Sequence, residues 1–302
     1  MVISSLDQLD FSLEALPELP EPNRILMASP AHFAVEYVIN PHMAGHVGAV
    51  NTMAAQAQWQ ALKMAFESIG QQVEVVPALE GHPDLVFCAN QTLPYPDRPG
   101  SNHPGAVLSR MAAPQRRGEV EHVGQTLAAL GLERCPLPEG IDGSLEGMGD
   151  AIWYPGRRLL WGGYGFRTHP EVYSHVSRLL DVPVLALRLD DPDFYHLDTC
   201  FCALDERTIL IYPGAFDESG LALIHALFER VLEAPEPEAR HAFACNSHCP
   251  DGTHVLMPTE CPVSQRAVEA AGFTVKSIET SEFLKAGGSV FCMKLAFWAP
   301  VG

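Results

Sequence analysis

Val263-Ser264-Gln265-Arg266-Ala267-Val268-Glu269-Ala270-Ala271-Gly272-Phe273-Thr274-Val275-Lys276-Ser277-Ile278 is the run from which the fold is read. Val263 to Ala271 spaces its apolar residues as one face of a helix. Gly272 breaks the helix, because glycine takes a left-handed conformation without a Cβ penalty. Phe273 to Ile278 is β-branched and reads as a strand. The same order recurs along the chain. Ala54 to Ile69 is helix-like, Gly70 stops it, and Val73 to Val76 follows as strand. Gln115 to Leu130 is stopped by Gly131, and a short segment runs through Cys135. Pro170 to Leu180 opens on proline and leads into a strand from Val182 to Leu189. Leu221 to Leu232 is a fifth helix. Five units in a chain of 302 residues recur roughly every 60, longer than the 20–50 of stacked solenoid repeats.

Further strands are expected at Arg24 to Met27, Leu85 to Cys88 and Leu159 to Trp161. His196 to Leu204 and Thr208 to Tyr212 read as a hairpin turning at Asp205-Glu206-Arg207. Pro235-Glu236-Pro237-Glu238 reads as a surface linker. It is no domain boundary, because the candidate chemistry lies on both sides of it. Residues 1–22, rich in Pro and Glu, read as an N-terminal arm, and 23–302 as a single catalytic domain.

With 47% hydrophobic residues the chain can bury a large core. A formal net charge of −18 argues against nucleic acid and anionic membrane as partners and mildly favours a cationic substrate. Met1 to Pro20 lacks the pattern of a secretory leader, and no apolar run approaches the ~20 residues that span a bilayer. A cytoplasmic protein is expected, with its eight cysteines reduced. Cys245-x-x-x-Cys249, His248 and Cys261 lack the tight paired spacing of a structural zinc site and read as buried thiols.

Cys292 follows Gly287-Gly288-Ser289-Val290-Phe291 in a strand-like segment running to Leu295. Read alone, a cysteine in an apolar strand is far more often a buried core thiol than a nucleophile. Lys294, two residues on, would share its face and either favour thiolate or point to solvent. In Tyr195-His196-Leu197-Asp198-Thr199-Cys200, alternation puts His196, Asp198 and Cys200 on one face. The imidazole and carboxylate suit acid–base work, or are simply surface neighbours. Glu146 and Asp150 flank Gly147 and Gly149 in an acidic turn. Gly162-Gly163-Tyr164-Gly165-Phe166-Arg167 reads as a glycine-rich turn into a helix. It lacks the ending of a phosphate loop, and its Arg167 suits a carboxylate. Asn40 and Asn90 each end a strand-like run and either cap a turn or orient a polar ligand.

Taken together, Asp84-x-x-Phe87-x-x-Asn90, Glu146-x-x-Gly149-Asp150, Arg167-Thr168, His196-x-Asp198 and Gly287-Gly288-x-x-x-Cys292 resemble the guanidino-group-modifying (pentein) superfamily. Its members include arginine deiminases, dimethylarginine dimethylaminohydrolases, amidinotransferases and arginine dihydrolases. The resemblance implies a five-bladed pseudo-symmetric α/β propeller of ββαβ units with its site on the central axis. It implies that Cys292 attacks a guanidinium carbon to form a thiouronium intermediate. His196 would protonate the departing amine and then activate water, with Glu146 orienting it. Asp198 would bond the guanidinium nitrogens and Arg167 the α-carboxylate. Asp84 would be a polar anchor near the other end of the site, and Phe87, Asn40 and Asn90 would also bind the substrate.

Asn90 stands where deiminases and dimethylarginine hydrolases usually carry aspartate, and Ala89 where the latter often carry glutamate. Tyr37-Val38-Ile39-Asn40-Pro41 with Phe87-x-Ala89-Asn90 looks most like arginine dihydrolase modules, which release ornithine, carbon dioxide and two ammonias. The leading expectation is a cysteine-dependent hydrolase of arginine or a close analogue. The alternatives are a dimethylarginine hydrolase, an amidinotransferase and a non-catalytic binding protein. The resemblance implies no cofactor and no metal. The one partner expected is a small cationic guanidino substrate, and self-association into a homo-oligomer is compatible with the sequence.

Overall fold

Helix ends fall where the punctuating residues stand. In the computed structural model, which describes residues 1–300, Pro170 opens the helix Pro170–Leu180, and Asp181 closes it at φ 53°. Asn51 caps Thr52–Ser68 by accepting from Ala54 N at 3.1 Å. Gly131 and Gly272, just past Arg117–Ala129 and Pro262–Ala270, take φ of 91° and 102°.

The strands form five separate sheets. Three of them share one plan: a strand, an antiparallel neighbour, then a helix crossing to a parallel third strand. The first runs Thr92–Tyr95, Gly105–Leu108, helix Arg117–Ala129 and Glu133–Pro136. The second runs Ala151–Trp153, Leu160–Tyr164, helix Pro170–Leu180 and Val184–Arg188. The third runs Phe201–Ala203, Thr208–Ile211, helix Glu218–Leu227 and Arg230–Glu233. A crossover helix is what a parallel pair requires, since a tight turn cannot return the chain in the same direction.

The fourth sheet keeps the plan by joining the ends of the chain. Leu295–Phe297 lies antiparallel to Arg24–Ala28, which pairs in parallel with Val73–Val76 across helix Thr52–Ser68. The fifth has the parallel pair His254–Pro258 and Thr274–Ile278 around helix Pro262–Ala270, with a single antiparallel bridge from His248 to Leu256 on its open side. The N-terminal residues lie against this body. Val2–Ile3 adds a parallel strand beside Val184 and Leu185, and Trp298 Nε1 donates to Pro20 O at 2.9 Å. Among the described residues no helix is long and apolar enough to cross a membrane.

Several expected elements differ. Leu85 to Cys88 is no strand. Proline opens a 3-10 turn there, Pro83–Val86, and the strand begins later at Thr92. The helix expected from Leu221 to Leu232 ends at Leu227, and its last residues form the strand Arg230–Glu233. The supposed linker starts the helix Glu236–Ala242, and its Glu238 is buried. Glu238 accepts from Val263 N, Ser264 N and Ser264 Oγ at 2.7–2.8 Å and so caps the next helix. Gly162 and Gly163 sit inside a strand rather than a turn, because a Cβ on Gly162 would lie 2.7 Å from the Tyr173 ring.

Candidate active site

The segment carrying Cys292 is a turn, not the expected strand; regular pairing starts only at Leu295. Its shape is fixed by one buried side chain, Asn246. Asn246 Oδ1 accepts from Ser289 N at 3.0 Å and Cys292 N at 3.2 Å, and its backbone carbonyl accepts from Phe291 N at 3.0 Å. Its Nδ2 donates to Cys292 Sγ at 3.1 Å and to Asp198 O at 2.9 Å. The glycine pair before it is required by space. Gly287 has φ 81°, and a Cβ there would meet Asn40 Oδ1 and Tyr195 Oη at 2.8 Å. At Gly288 a Cβ would lie 2.4 Å from the Phe87 ring.

His196–Asp198 is also not strand. His196 precedes a 3-10 turn, Leu197–Thr199, held by Asp150, whose Oδ1 accepts from Leu197 N at 3.0 Å. The turn sends His196 and Asp198 to different parts of the site and Cys200 into the apolar core. His196 Nε2 donates to Glu146 Oε2 at 2.6 Å, which leaves Nδ1 for any other partner. Cys292 Sγ donates to Asp198 Oδ2 at 3.2 Å. Gly149 has to be glycine for this assembly, since a Cβ would lie 2.1 Å from Asn90 Nδ2.

A narrow chamber is lined by Cys292, His196, Asn40, Asn90, Asp84 and Phe87, together with Arg116, Arg167 and Tyr195. Glu146 and Asp198 stand behind its wall, bonded to His196 and Cys292. The chamber holds about 10 Å³ of free space, barely one water, so a substrate enters only as wall residues move. Asn40 does both things an asparagine in its place can do. It caps the turn Pro41–Met43 by accepting from Met43 N, and it faces the chamber while Nδ2 donates to Ala286 O at 3.0 Å. Asn90 Oδ1 accepts from Arg116 Nη1 at 2.8 Å, while its buried Nδ2 has no partner among the described residues.

Two residues that shape the site carry no sequence signal. Arg116, 4% exposed, pairs with Glu119 and donates to the carbonyls of Asp84 and Phe87, so it moulds the segment that bears Asp84, Phe87 and Asn90. Asn246 sits between cysteines that drew attention as metal ligands. Among the described residues no cluster of three or more His, Cys, Asp or Glu is arranged to hold a metal. Arg167 is 9% exposed; its Nη2 donates to Ile39 O at 2.7 Å, Nη1 lies 3.4 Å from Glu146 Oε2, and its guanidinium rests 4.8 Å from the Tyr195 ring centre. Lys294 shares neither face nor space with Cys292. The turn breaks the alternation, and the side chain is fully buried on another cavity.

Burial dominates the electrostatics. It raises the Asp198 carboxyl to about 7, although hydrogen bonds from Cys292 and Asn246 and the charge of Lys294 act the other way. Burial, then the charge and hydrogen bond of Asp198, hold the Cys292 thiol well above its ordinary 9.0. The free site therefore stores a neutral thiol. Glu146 behaves oppositely. Burial works against its charged form, but the hydrogen bond and charge of His196, with Arg167 and Arg116, bring its carboxyl down to about 2.

The family model described as eukaryotic N,N dimethylarginine dimethylhydrolase matches residues 39–297. The bifunctional arginine dihydrolase/ornithine cyclodeaminase AgrE of Nostoc sp. is 37% identical over 280 residues, covering 92% of this chain and 38% of that protein. The chain thus spans well under half the length of that relative. The N(G),N(G)-dimethylarginine dimethylaminohydrolase of Mycobacterium tuberculosis is 35% identical, over 91% of this chain and 86% of that one. Among solved structures, the N-terminal domain of the cyanobacterial arginine dihydrolase ArgZ, as a cysteine-to-serine mutant bound to substrate, superposes with TM-score 0.83. It is 35% identical and covers 90% of this chain and 97% of that domain. An asparagine-to-serine mutant of the same domain, covalently bound to a reaction intermediate, gives TM-score 0.83 at 35% identity and covers 92% and 99%.

Proposed function

The chain belongs to the N,N-dimethylarginine dimethylhydrolase family, and on that footing we propose that it hydrolyses the guanidino group of arginine or a close analogue through a covalent intermediate on Cys292. One observation carries this reading: a thiol backed by a carboxylate and an imidazole backed by a carboxylate converge on one chamber walled by side-chain amides.

The steps follow from that geometry. A guanidinium entering beside Asp198 brings the positive charge that stabilises a thiolate, and the thiol proton passes to Asp198 Oδ2, the oxygen to which Sγ donates, returning to sulfur when it is freed. The sulfur attacks the guanidinium carbon, while Asn246, holding both Sγ and the Cys292 amide, fixes its direction. His196 gives a proton to the departing nitrogen and ammonia leaves, so sulfur carries the amidino group as a thiouronium. His196 then takes a proton from water, which attacks that carbon and frees the sulfur. Glu146 keeps a fixed negative charge 2.6 Å from the ring throughout. Arg167 offers a cationic end to a substrate carboxylate.

Asn90 and Asn40 favour the dihydrolase outcome, in which arginine and two waters give ornithine, carbon dioxide and two ammonias. An amide leaves the guanidinium less compensated than a carboxylate would, and offers a donor and an acceptor to water. Dimethylarginine hydrolysis is the second reading, favoured by the Mycobacterium tuberculosis relative, which matches over most of its own length.

We further take the five sheets as the blades of a propeller around this chamber, in a single domain of residues 23–302 with 1–22 as an arm. A reduced, cytoplasmic setting fits eight free cysteines. Incubation with arginine, dimethylarginine and agmatine, followed by mass spectrometry, tests the activity. Ornithine with two ammonias per arginine is expected, and no product from any of the three would end the proposal.

A further inference from the structure

Lys294, Ala296 and Trp298 alternate around the short strand Leu295–Phe297, so all three face the same way. They look into a cavity of about 260 Å³ on the other side of the Cys292 segment from the chamber. The two spaces share a wall: Cys292 faces one, Phe291 and Lys294 the other. Its apolar lining includes Ile152, Trp153 and Trp298.

Two nitrogens in this apolar hole have nothing to bond. Lys294 is 0% exposed, and among the described residues its Nζ has neither hydrogen-bond partner nor ion pair. It rests 3.2 Å from the centre of the Phe291 ring. His248 Nε2, on the same cavity, is likewise buried and unpartnered among the described residues. A buried cation without a counter-charge is expensive, and here the cost shows: burial brings the Lys294 ammonium down to about 7, with Asp198 only partly opposing. The ring face offsets a fraction of it. At the rim stand Glu21, Asp205 and Glu206, which repel a second negative charge.

We propose that this cavity is a second binding site, taking a small monocarboxylate with an apolar body. Neither nitrogen now touches open space, so the two side chains swing out of the wall as the ligand enters; its carboxylate then accepts from Lys294 Nζ and His248 Nε2, and its body lies against Trp153 and Trp298. Charge-assisted bonds of that kind supply what the lysine lacks. The acidic rim excludes dianions and polyphosphates, and the volume, just under the usual range for drug-sized ligands, limits the occupant to a compact molecule. The proposal does not rest on the hydrolysis reading above, because none of its bonds involves a chamber residue; only the charges of Lys294 and Asp198 act on each other through the shared wall.

Titration calorimetry on the full chain tests this, with 3-phenylpropionate, the matching alcohol 3-phenylpropan-1-ol, and inorganic phosphate as probes. The carboxylate is expected to bind at one site at least tenfold more tightly than the alcohol, and phosphate not at all. Lys294→Met should weaken the carboxylate at least tenfold. Ala296→Leu, which fills the cavity without touching the charge, should do the same and serves if the lysine variant fails to fold. Cys292→Ser should bind as the parent does. The proposal falls if the carboxylate shows no saturable binding in the millimolar range, if the alcohol or phosphate binds as well, or if arginine displaces it from Cys292→Ser.

Discussion

Replacing Glu146 by glutamine removes one charge from the centre of the site and leaves its shape. The carboxyl titrates at about 2 where an ordinary glutamate has 4.5. That gap corresponds to about 3 kcal/mol favouring the charged form in the folded protein. Glutamine keeps an acceptor for the His196 ring or for Ala112 N, which donates to Oε1 at 2.9 Å, so part of the loss is recovered. The expected destabilisation at neutral pH is about 2–3 kcal/mol, read from urea unfolding of parent and variant. The sign with pH is fixed. A folded-state value below the unfolded one gives stability that is complete above 4.5 and lost as pH falls towards 2. The gap between the two proteins should therefore stay constant from about pH 8 to about pH 5 and close below that. Turnover should fall as well, by about two orders of magnitude, as for a lost acid–base partner. A variant within about 0.5 kcal/mol of the parent at pH 7, or a gap that widens in acid, would show that the charge on Glu146 is not what holds the imidazole.

Cys292→Ser should abolish turnover while leaving the thermal midpoint close to that of the parent; residual hydrolysis would remove the sulfur from the mechanism. Iodoacetamide should label Cys292 slowly at neutral pH, with a rate still climbing above pH 9, because the free thiol is held above 9.0; peptide mass mapping showing a plateau near pH 7 would contradict the stored thiol. A cationic amidine alkylator should label it faster than the neutral reagent. Asn90→Asp should shift product from ornithine towards citrulline or lower the rate, and an unchanged ratio and rate would remove Asn90 from the specificity argument. Lys294→Met should stabilise the protein by on the order of 3 kcal/mol. Since the folded lysine titrates below its ordinary 10.5, at about 7, the gain should be fullest below pH 7 and shrink as pH rises towards 10.5; a loss of stability at pH 6 would refute this account of its burial.

The parts of this molecule visible from sequence are those decided locally. Gly70, Gly131, Gly272 and Pro170 mark helix ends by backbone chemistry alone, so the recurring helix-to-strand unit can be counted before any contact is known. What escaped was decided by distant partners. Gly287 to Leu295 has the composition of a strand, yet Asn246, more than forty residues upstream, claims its amides and bends it into a turn. Glu238 looks like linker until its bonds to the next helix are seen. In the chamber, Cys292 and His196 belong to residue types that advertise reactivity. Arg116 and Asn246 act by holding carbonyls and amides, a role without sequence spacing. Period-two reasoning placed Asp198 beside His196, whereas a 3-10 turn sets the carboxylate behind the sulfur instead.

The strand Leu295–Phe297 completes a sheet with Arg24–Ala28 from the opposite end of the chain, and Cys292, the proposed nucleophile, lies three residues before it. Such a pairing spans nearly the whole sequence, and contacts of that separation carry the heaviest loop-closure cost. Until it forms, the turn that Asn246 shapes has no fixed anchor after Cys292. A partly folded form lacking this last stitch leaves the Cys292 turn loose at one end, so any reactivity arrives together with completion of this sheet rather than ahead of it. Substitutions that weaken the Arg24–Ala28 edge would then lower the fraction of competent molecules while leaving the rate of each competent one unchanged.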